Sequence, residues 1–197
     1  IRYTFSANEI NVDVHINKIE ANPMVEIKYN SLRIKSNLIG IYNANNINAA
    51  ITIGKYFKIP DVLIKDAIEN YIPENNRSQL IKKNSNELIL DAYNANPSSM
   101  HAAITNFIQL DKSNKIAILG DMFELGNESL SEHKKIINLI ENESRIKTYF
   151  IGKYFYANKI KNQNTIFFKD YNSFSEYLKE VAEKKSFVNV IGRAITR

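Results

Sequence analysis

With 197 residues, 44% of them apolar, and a formal net charge of +5, the chain has enough material for one large domain or two small ones. It has no cysteine, which excludes a disulfide framework and any thiolate metal site. No apolar run reaches the roughly 18 residues that span a bilayer. The opening Ile1-Arg2-Tyr3-Thr4-Phe5 has neither the basic nor the long apolar segment of a secretory leader, so a cytoplasmic protein, or a piece of one, is expected. The lysines are scattered in nothing longer than pairs such as Lys82-Lys83, without a basic stripe interleaved with aromatics, so no nucleic-acid partner and no membrane insertion are expected.

Up to Leu38 the pattern is that of strands. Ile10, Val12, Val14 and Ile16 alternate with Asn11, Asp13, His15 and Asn17, and Val25, Ile27 and Tyr29 repeat the period of two. Asn30-Ser31 reads as a turn, after which Leu32 and Ile34 continue the alternation, giving an antiparallel sheet with one solvated face. At Gly40 the texture changes: a helix runs to about Lys58, before Pro60, and a second runs from Asp61, as N-cap, to about Tyr71. The polar turn Pro73-Glu74-Asn75-Asn76 marks a domain boundary, with residues 1–72 on one side and 73–197 on the other.

From Arg77 onward strands alternate with helices. The expected strands are Glu87–Asp91, Lys115–Leu119, Thr148–Ile151, Thr165–Phe168 and Phe187–Ile191, and the helices start near Ser98, Ser131, Lys153 and Ser173. Met100, Ala103, Ile104, Phe107 and Ile108 form one helical stripe, and Phe174, Tyr177, Leu178, Val181 and Ala182 another. The pattern predicts an α/β domain: a Rossmann-like, mostly parallel sheet with helices on both faces, preceded by a β-rich and then helical segment.

One loop stands out for chemistry. Asp91-Ala92-Tyr93-Asn94-Ala95-Asn96-Pro97 joins a strand to a helix N-terminus, the place where open α/β sheets bind ligands. Asp91 can be a polar residue closing the strand, or a carboxylate that takes two sugar hydroxyls. Tyr93, Asn94 and Asn96 can form a side-chain-stabilised turn ahead of Pro97, or offer donors, acceptors and a stacking face to a ligand. Asn43 opens a helix as an N-cap, or presents its amide to the N6/N7 edge of adenine. In Gly120-Asp121-Met122-Phe123-Glu124-Leu125-Gly126, Asp121 and Glu124 belong to a solvated loop or hold a cation. His133 reads as a surface histidine after an N-cap at Ser131. His15 and His101 have no sequence partners for a metal, so no metal site is assigned. No phosphate-cradling glycine loop and no nucleophile elbow is present.

The Asp-x-Tyr-Asn-Ala-Asn-Pro string with Ser99-Met100 and Ala102-Ala103, followed by Gly-Asp-Met-x-Glu-Leu-Gly, resembles the Mur ligases of peptidoglycan synthesis. Gly40-x-Tyr42-Asn43-x-x-Asn46 with Ala49-Ala50 is similar to the segment of the family's central domain that contacts adenine. Tyr42 stands where the family often has histidine, so no role is carried onto it. Arg77 resembles the arginine that opens the C-terminal domain and reaches the nucleotide, and Ser131-Glu132-His133 resembles a Ser-Glu-His that follows the Gly-Asp-Met loop. The family usually closes with a Lys-Gly-Ser-Arg-like segment. Here Val190-Ile191-Gly192-Arg193-Ala194-Ile195 keeps the glycine and arginine without the lysine and serine, so no substrate contact is carried onto it.

The resemblance implies the end of a central ATP-binding domain over residues 1–72 and the C-terminal domain over 73–197. It implies an ATP-dependent, ADP-forming ligase adding D-alanyl-D-alanine to UDP-MurNAc-tripeptide, with the chain inactive by itself and monomeric. Asn43 is expected at the adenine, Asp91 at the ribose and Arg77 at the nucleotide. Tyr93, Asn94 and Asn96 would shape the loop where nucleotide and dipeptide meet, and no catalytic residue is assigned. ATP and Mg2+ are the implied cofactors, their main phosphate and magnesium ligands expected upstream of Ile1. Two other readings are a stand-alone nucleotide-binding or interaction module on the same scaffold, and a sister ligase that adds a single amino acid. The Tyr-Asn-Ala-Asn-Pro string speaks against the sister, in which a histidine-containing variant is expected.

Overall fold

The computed structural model describes residues 2–74, 76–83, 86–182 and 190–193, with backbone only for 83, 181–182 and 190–193. The chain divides into two compact units, Ile1–Glu74 and Asn75–Arg197.

The first unit holds strands β1 (Phe5–Ser6), β2 (Val14–Ala21), β3 (Met24–Tyr29) and β4 (Leu32–Ile39), then helices α1 (Ala44–Tyr56) and α2 (Asp61–Asn70). The strands lie in the order β1-β2-β3-β4. The expected alternation buries Val14, Ile16, Val25, Ile27, Tyr29 and Ile34 against Ala44, Ile47 and Ile51 of α1 and Ile64 of α2. Three expectations are corrected. Strand β2 begins only at Val14, and Ile10 is 83% exposed. The preceding stretch is held by local bonds instead: Val12 N–H donates to Ile10 O at 3.0 Å, and the Asp13 carboxylate accepts the Thr4 N–H and hydroxyl at 2.7 and 2.9 Å. Such side-chain bonds compete with a strand ladder. Second, β2, β3 and β4 are antiparallel, but β1 pairs with β2 in parallel. Third, the N-cap of α2 is Pro60, with φ −56° and ψ 139°. Asp61 lies inside the first turn, where the helix dipole favours its charge, and it pairs with Lys55 Nζ at 2.5 Å.

The second unit contains β5 (Gln79–Lys83), β6 (Asn86–Leu90), α3 (Pro97–Gln109), β7 (Lys115–Gly120), α4 (Ser129–Ile140), β8 (Ile146–Ile151), α5 (Lys153–Ala157), β9 (Thr165–Phe168), α6 (Tyr171–Ala182) and β10 (Val190–Arg193). The sheet order is β5-β6-β10-β7-β8-β9. Strands β6, β10, β7, β8 and β9 are parallel, and β5 is an antiparallel edge strand on β6. Strand β5 has no counterpart in the sequence reading: only Leu80 and Ile81 are apolar in it, and pairing with β6 makes it a strand. The start of the last expected strand, residues 187–189, lies outside the described residues.

Connection handedness accounts for the two-faced core. Steps β6 to β7 to β8 to β9 all move one way across the sheet, and right-handed crossovers then place α3, α4 and α5 on one face. The return from β9 to β10 places α6 on the other. The side chains agree: Ala117, Leu119, Ile146 and Phe150 pack with Met100, Ile104, Phe107, Ile136, Ile137 and Phe155. The alternate residues Ile116, Ile118, Tyr149 and Phe168 pack with Phe174, Tyr177 and Leu178 of α6.

Helix starts differ from expectation by local capping. Helix α4 begins at Ser129, because a 3-10 turn, Gly126–Glu128, runs into it without the extended residue an N-cap needs. Ser131 is therefore inside the helix, its hydroxyl donating to Glu128 O at 2.9 Å. Helix α6 begins at Tyr171, two residues before the expected start near Ser173, and Asp170 ahead of it accepts the Ser173 N–H at 2.9 Å. Lys115 closes the C-terminus of α3. Lys115 is 3% exposed, and its ammonium donates to Phe107 O, Ile108 O and Leu110 O at 3.1, 2.8 and 3.2 Å; burial pushes its pKa down.

Candidate functional site

Because β6, β10 and β7 are parallel, the loops that follow β6 and β7 leave the sheet at the same carboxyl edge. Asp91 is half-buried and comes directly after Leu90, the last residue of β6. The antiparallel pair Gln79↔Leu90 lays the segment before β5 alongside the loop after β6. Ala92 N–H donates to Asn76 O at 2.8 Å. The Arg77 guanidinium carbon lies 3.7 Å from the centroid of the Tyr93 ring. Arg77, Asp91 and Tyr93 therefore share one end of β6, and Tyr93 is 58% exposed there.

The other loop residues have mostly local tasks. Ala95 is 3% exposed and anchors the loop in the core beside Met100. Asn96 is the N-cap of α3, with Pro97 as the first helical residue. Its side-chain oxygen accepts the Ser99 N–H and the Ser98 hydroxyl, both at 2.9 Å, and Ser99 Oγ accepts the Asn96 N–H at 3.2 Å. That reciprocal capping box realises the turn reading of Asn96. Asn94 is exposed.

Asn43, in the first unit, is 7% exposed and ends a 3-10 turn, Ile41–Asn43. It occupies the N-cap position of α1 but makes no side-chain cap bond, because its backbone is helical (φ −79°, ψ −8°) rather than extended. Its Nδ2 donates to Ile39 O at 2.7 Å and its Oδ1 accepts from Asn46 Nδ2 at 3.0 Å. Among the described residues, one N–H and one lone pair of the amide remain beyond these bonds.

The loop after β7 differs from both sequence readings of Asp121. That residue is neither solvated nor open to a cation: it is 6% exposed, and its two oxygens accept the Tyr154 and Phe155 N–H groups at 3.0 Å each, capping α5. Gly152 makes this possible. It has φ +128°, and a Cβ there would fall inside contact distance of the Asp121 carboxylate. His133 is likewise corrected from surface to core, at 0% exposure. Its Nε2 accepts the Met122 N–H at 2.9 Å and its Nδ1 lies 2.5 Å from Ser129 O, which defines the neutral tautomer protonated at Nδ1. The available signal was its place on the stripe His133, Ile136, Ile137 and Ile140. Glu124 is exposed, with φ +66°. Among the described residues no three His, Asp or Glu side chains group so as to hold a metal ion.

A mostly parallel sheet that gathers a cation, a carboxylate and an exposed ring at the carboxyl end of one strand has the form of a ligand-binding α/β domain. Residues 76–194 match the family described as Mur ligase, glutamate ligase domain, and the chain belongs to that family. It is similar to the UDP-N-acetylmuramoyl-tripeptide–D-alanyl-D-alanine ligase of Buchnera aphidicola subsp. Baizongia pistaciae, 31% identical over 158 residues that are 80% of this chain and 34% of that one. The enzyme of that description from Bacillus subtilis is 35% identical over 118 residues, 59% of this chain and 26% of that one. Among solved structures, the MurF ligase of Thermotoga maritima in complex with ADP shares the fold, with a TM-score of 0.74 at 17% identity over 97% of this chain and 44% of that one. The chain thus spans about a third or less of the length of these curated relatives. Among the described residues no helix is long and apolar enough to cross a membrane.

Proposed function

We propose that this chain is part of an ATP-dependent, ADP-forming ligase that adds D-alanyl-D-alanine to UDP-MurNAc-tripeptide. On this reading, residues 1–72 are the end of the central ATP-binding domain and residues 73–197 the C-terminal domain. The observation that carries the reading is the meeting of Arg77, Asp91 and Tyr93 at the carboxyl end of β6, in a chain similar to UDP-N-acetylmuramoyl-tripeptide–D-alanyl-D-alanine ligases. In the reaction, the tripeptide carboxylate takes the γ-phosphoryl group, breaking the bond to ADP. The dipeptide amine then attacks the acyl carbon, the new C–N bond forms and phosphate leaves. Phosphoryl transfer of this kind needs positioning and charge stabilisation more than covalent help. Arg77 supplies a permanent positive charge for the nucleotide. Asp91 accepts the two ribose hydroxyls, and Asn43 offers its remaining N–H and lone pair to the adenine edge. Tyr93, Asn94 and Asn96 shape the wall of the loop. No step is assigned to magnesium through the residues described.

The polypeptide in which this chain occurs, supplied with ATP, magnesium, UDP-MurNAc-tripeptide and D-alanyl-D-alanine, is expected to release phosphate and form the pentapeptide product. Arg77→Ala and Asp91→Ala are expected to raise the KM for ATP. Turnover with a single amino acid on a shorter acceptor, and none with the dipeptide, would assign the chain to a sister ligase. Nucleotide binding without any turnover would favour the stand-alone module.

A further inference from the structure

We propose that Tyr93 is a positioning residue for Arg77: its ring holds the guanidinium at the carboxyl end of β6, ready for a phosphate-bearing anion. The inference rests on the nucleotide reading above and adds a residue that acts through another. Arg77 is exposed, and an exposed arginine ordinarily samples many rotamers and loses that freedom when it binds. Here the freedom is removed beforehand. The guanidinium stacks on Tyr93 at 3.7 Å from the ring centroid, a geometry in which the π face attracts the cation while leaving the N–H edges free to donate. Among the described residues no ion pair engages Arg77.

The backbone supports the placement. Arg77 sits between Asn76 and Ser78, with φ +60° and +49°, both in the left-handed region that non-glycine residues seldom adopt. Ser78 is 6% exposed and enters β5, and Asn76 O accepts the Ala92 N–H at 2.8 Å. A strained turn clamped on both sides persists only where its surroundings over-determine it. Arg77, between these two residues, lies over the Tyr93 ring at the end of β6. Tyr93 leaves 58% of its surface to solvent.

The test uses the isotopically labelled chain and three variants, Tyr93→Phe, Tyr93→Leu and Arg77→Ala, with the Tyr93→Leu/Arg77→Ala double variant. Amide spectra verify that each is folded. In the native chain the Arg77 Hδ and Hε resonances are expected upfield from the ring current. They should stay there in Tyr93→Phe and move to ordinary values in Tyr93→Leu. Metal-free ATP, titrated and followed by chemical shift, is expected to bind roughly 2- to 5-fold more weakly to Tyr93→Leu, the range of an exposed cation–π contact. Tyr93→Phe should retain the affinity, and Tyr93→Leu should add nothing once Arg77 is alanine. Ordinary Arg77 shifts in the native chain, or failure of Tyr93→Phe to restore them, overturns the proposal. So does an equal loss of ATP affinity from Tyr93→Leu with and without Arg77, which would mean that the ring touches the ligand itself. If ATP binds none of the proteins even at the millimolar concentrations expected of this chain, the readiness of Arg77 for a phosphate-bearing anion falls, while the ring-current pattern still decides whether Tyr93 positions it.

Discussion

Replacing Gly152 by alanine is a direct probe of the Asp121 cap. The glycine has φ +128° and ψ 165°, a region that L residues avoid, and an added Cβ would run into the Asp121 carboxylate. Two costs follow. Backbone strain of this kind amounts to about 1–3 kcal/mol. Displacing the carboxylate frees the Tyr154 and Phe155 N–H groups, now bonded at 3.0 Å each, and loss of a cap with a buried donor left over costs about 2–3 kcal/mol. Gly152→Ala is therefore expected to destabilise the second unit by roughly 3–6 kcal/mol, a large part of an ordinary domain's stability. Asp121→Ala is expected to cost the cap alone, about 2–3 kcal/mol. In the double variant the carboxylate is already absent, so the clash has no partner and only strain is added. The double variant should then fall short of the sum of the singles by about 2–3 kcal/mol, the cap counted twice. Urea unfolding of the whole chain, with hydrogen exchange at the Tyr154 and Phe155 amides as the local readout, measures each leg. Strict additivity, or a Gly152→Ala variant within about 0.5 kcal/mol of native, would show that the glycine does not serve the cap.

Other expectations are more local. Lys115→Met should cost about 1–3 kcal/mol through three carbonyls left without their donor, and faster exchange is expected in the last turn of α3. Asn96→Ala should cost about 1 kcal/mol through the lost capping box, while Asn96→Asp should leave thermal stability close to native. The Thr4 N–H and hydroxyl hold the Asp13 carboxyl below its ordinary value. A depressed folded pKa contributes stability above the unfolded value, near 3.9, and that contribution is lost as pH falls through the folded one. The Asp13 carboxyl carbon shift should therefore titrate at lower pH in the native chain than in Thr4→Val. The chain by itself is expected to bind ATP no more tightly than about 1 mM, roughly -4 kcal/mol, and to show no turnover. Micromolar affinity by calorimetry would reveal a phosphate site among these residues.

The parts of the fold written as local periodicity were legible. The alternation through Val25, Ile27 and Tyr29 became β3, and the stripe Met100, Ile104 and Phe107 became the buried face of α3. What depends on a distant partner was not. β1 takes a parallel neighbour, and β5 is a strand only because β6 supplies its ladder. In neither case do a few residues carry information about the far side of the pairing. Polar residues suffered in the same way. Asp121 and His133 look in sequence like members of a solvated loop and a wet helix face. Their burial follows from amide donors at Met122, Tyr154 and Phe155 that only the folded chain presents to them.

The candidate site divides along that line. Asp91 at the end of an apolar strand, and the polar loop after it, could be read from the chain directly. The nearness of Arg77 to Tyr93 could not, because it is produced by β5, the strand with the weakest local pattern, through the pair Gln79↔Leu90. A site residue that lies next to a motif in sequence is visible before folding. One that reaches the motif across an antiparallel turn becomes visible only when the register is known, since a slip of one residue would turn its side chain to the opposite face. Arg77 is the second kind, and its place beside Tyr93 depends on the same register that sets Asn76 O opposite Ala92 N–H.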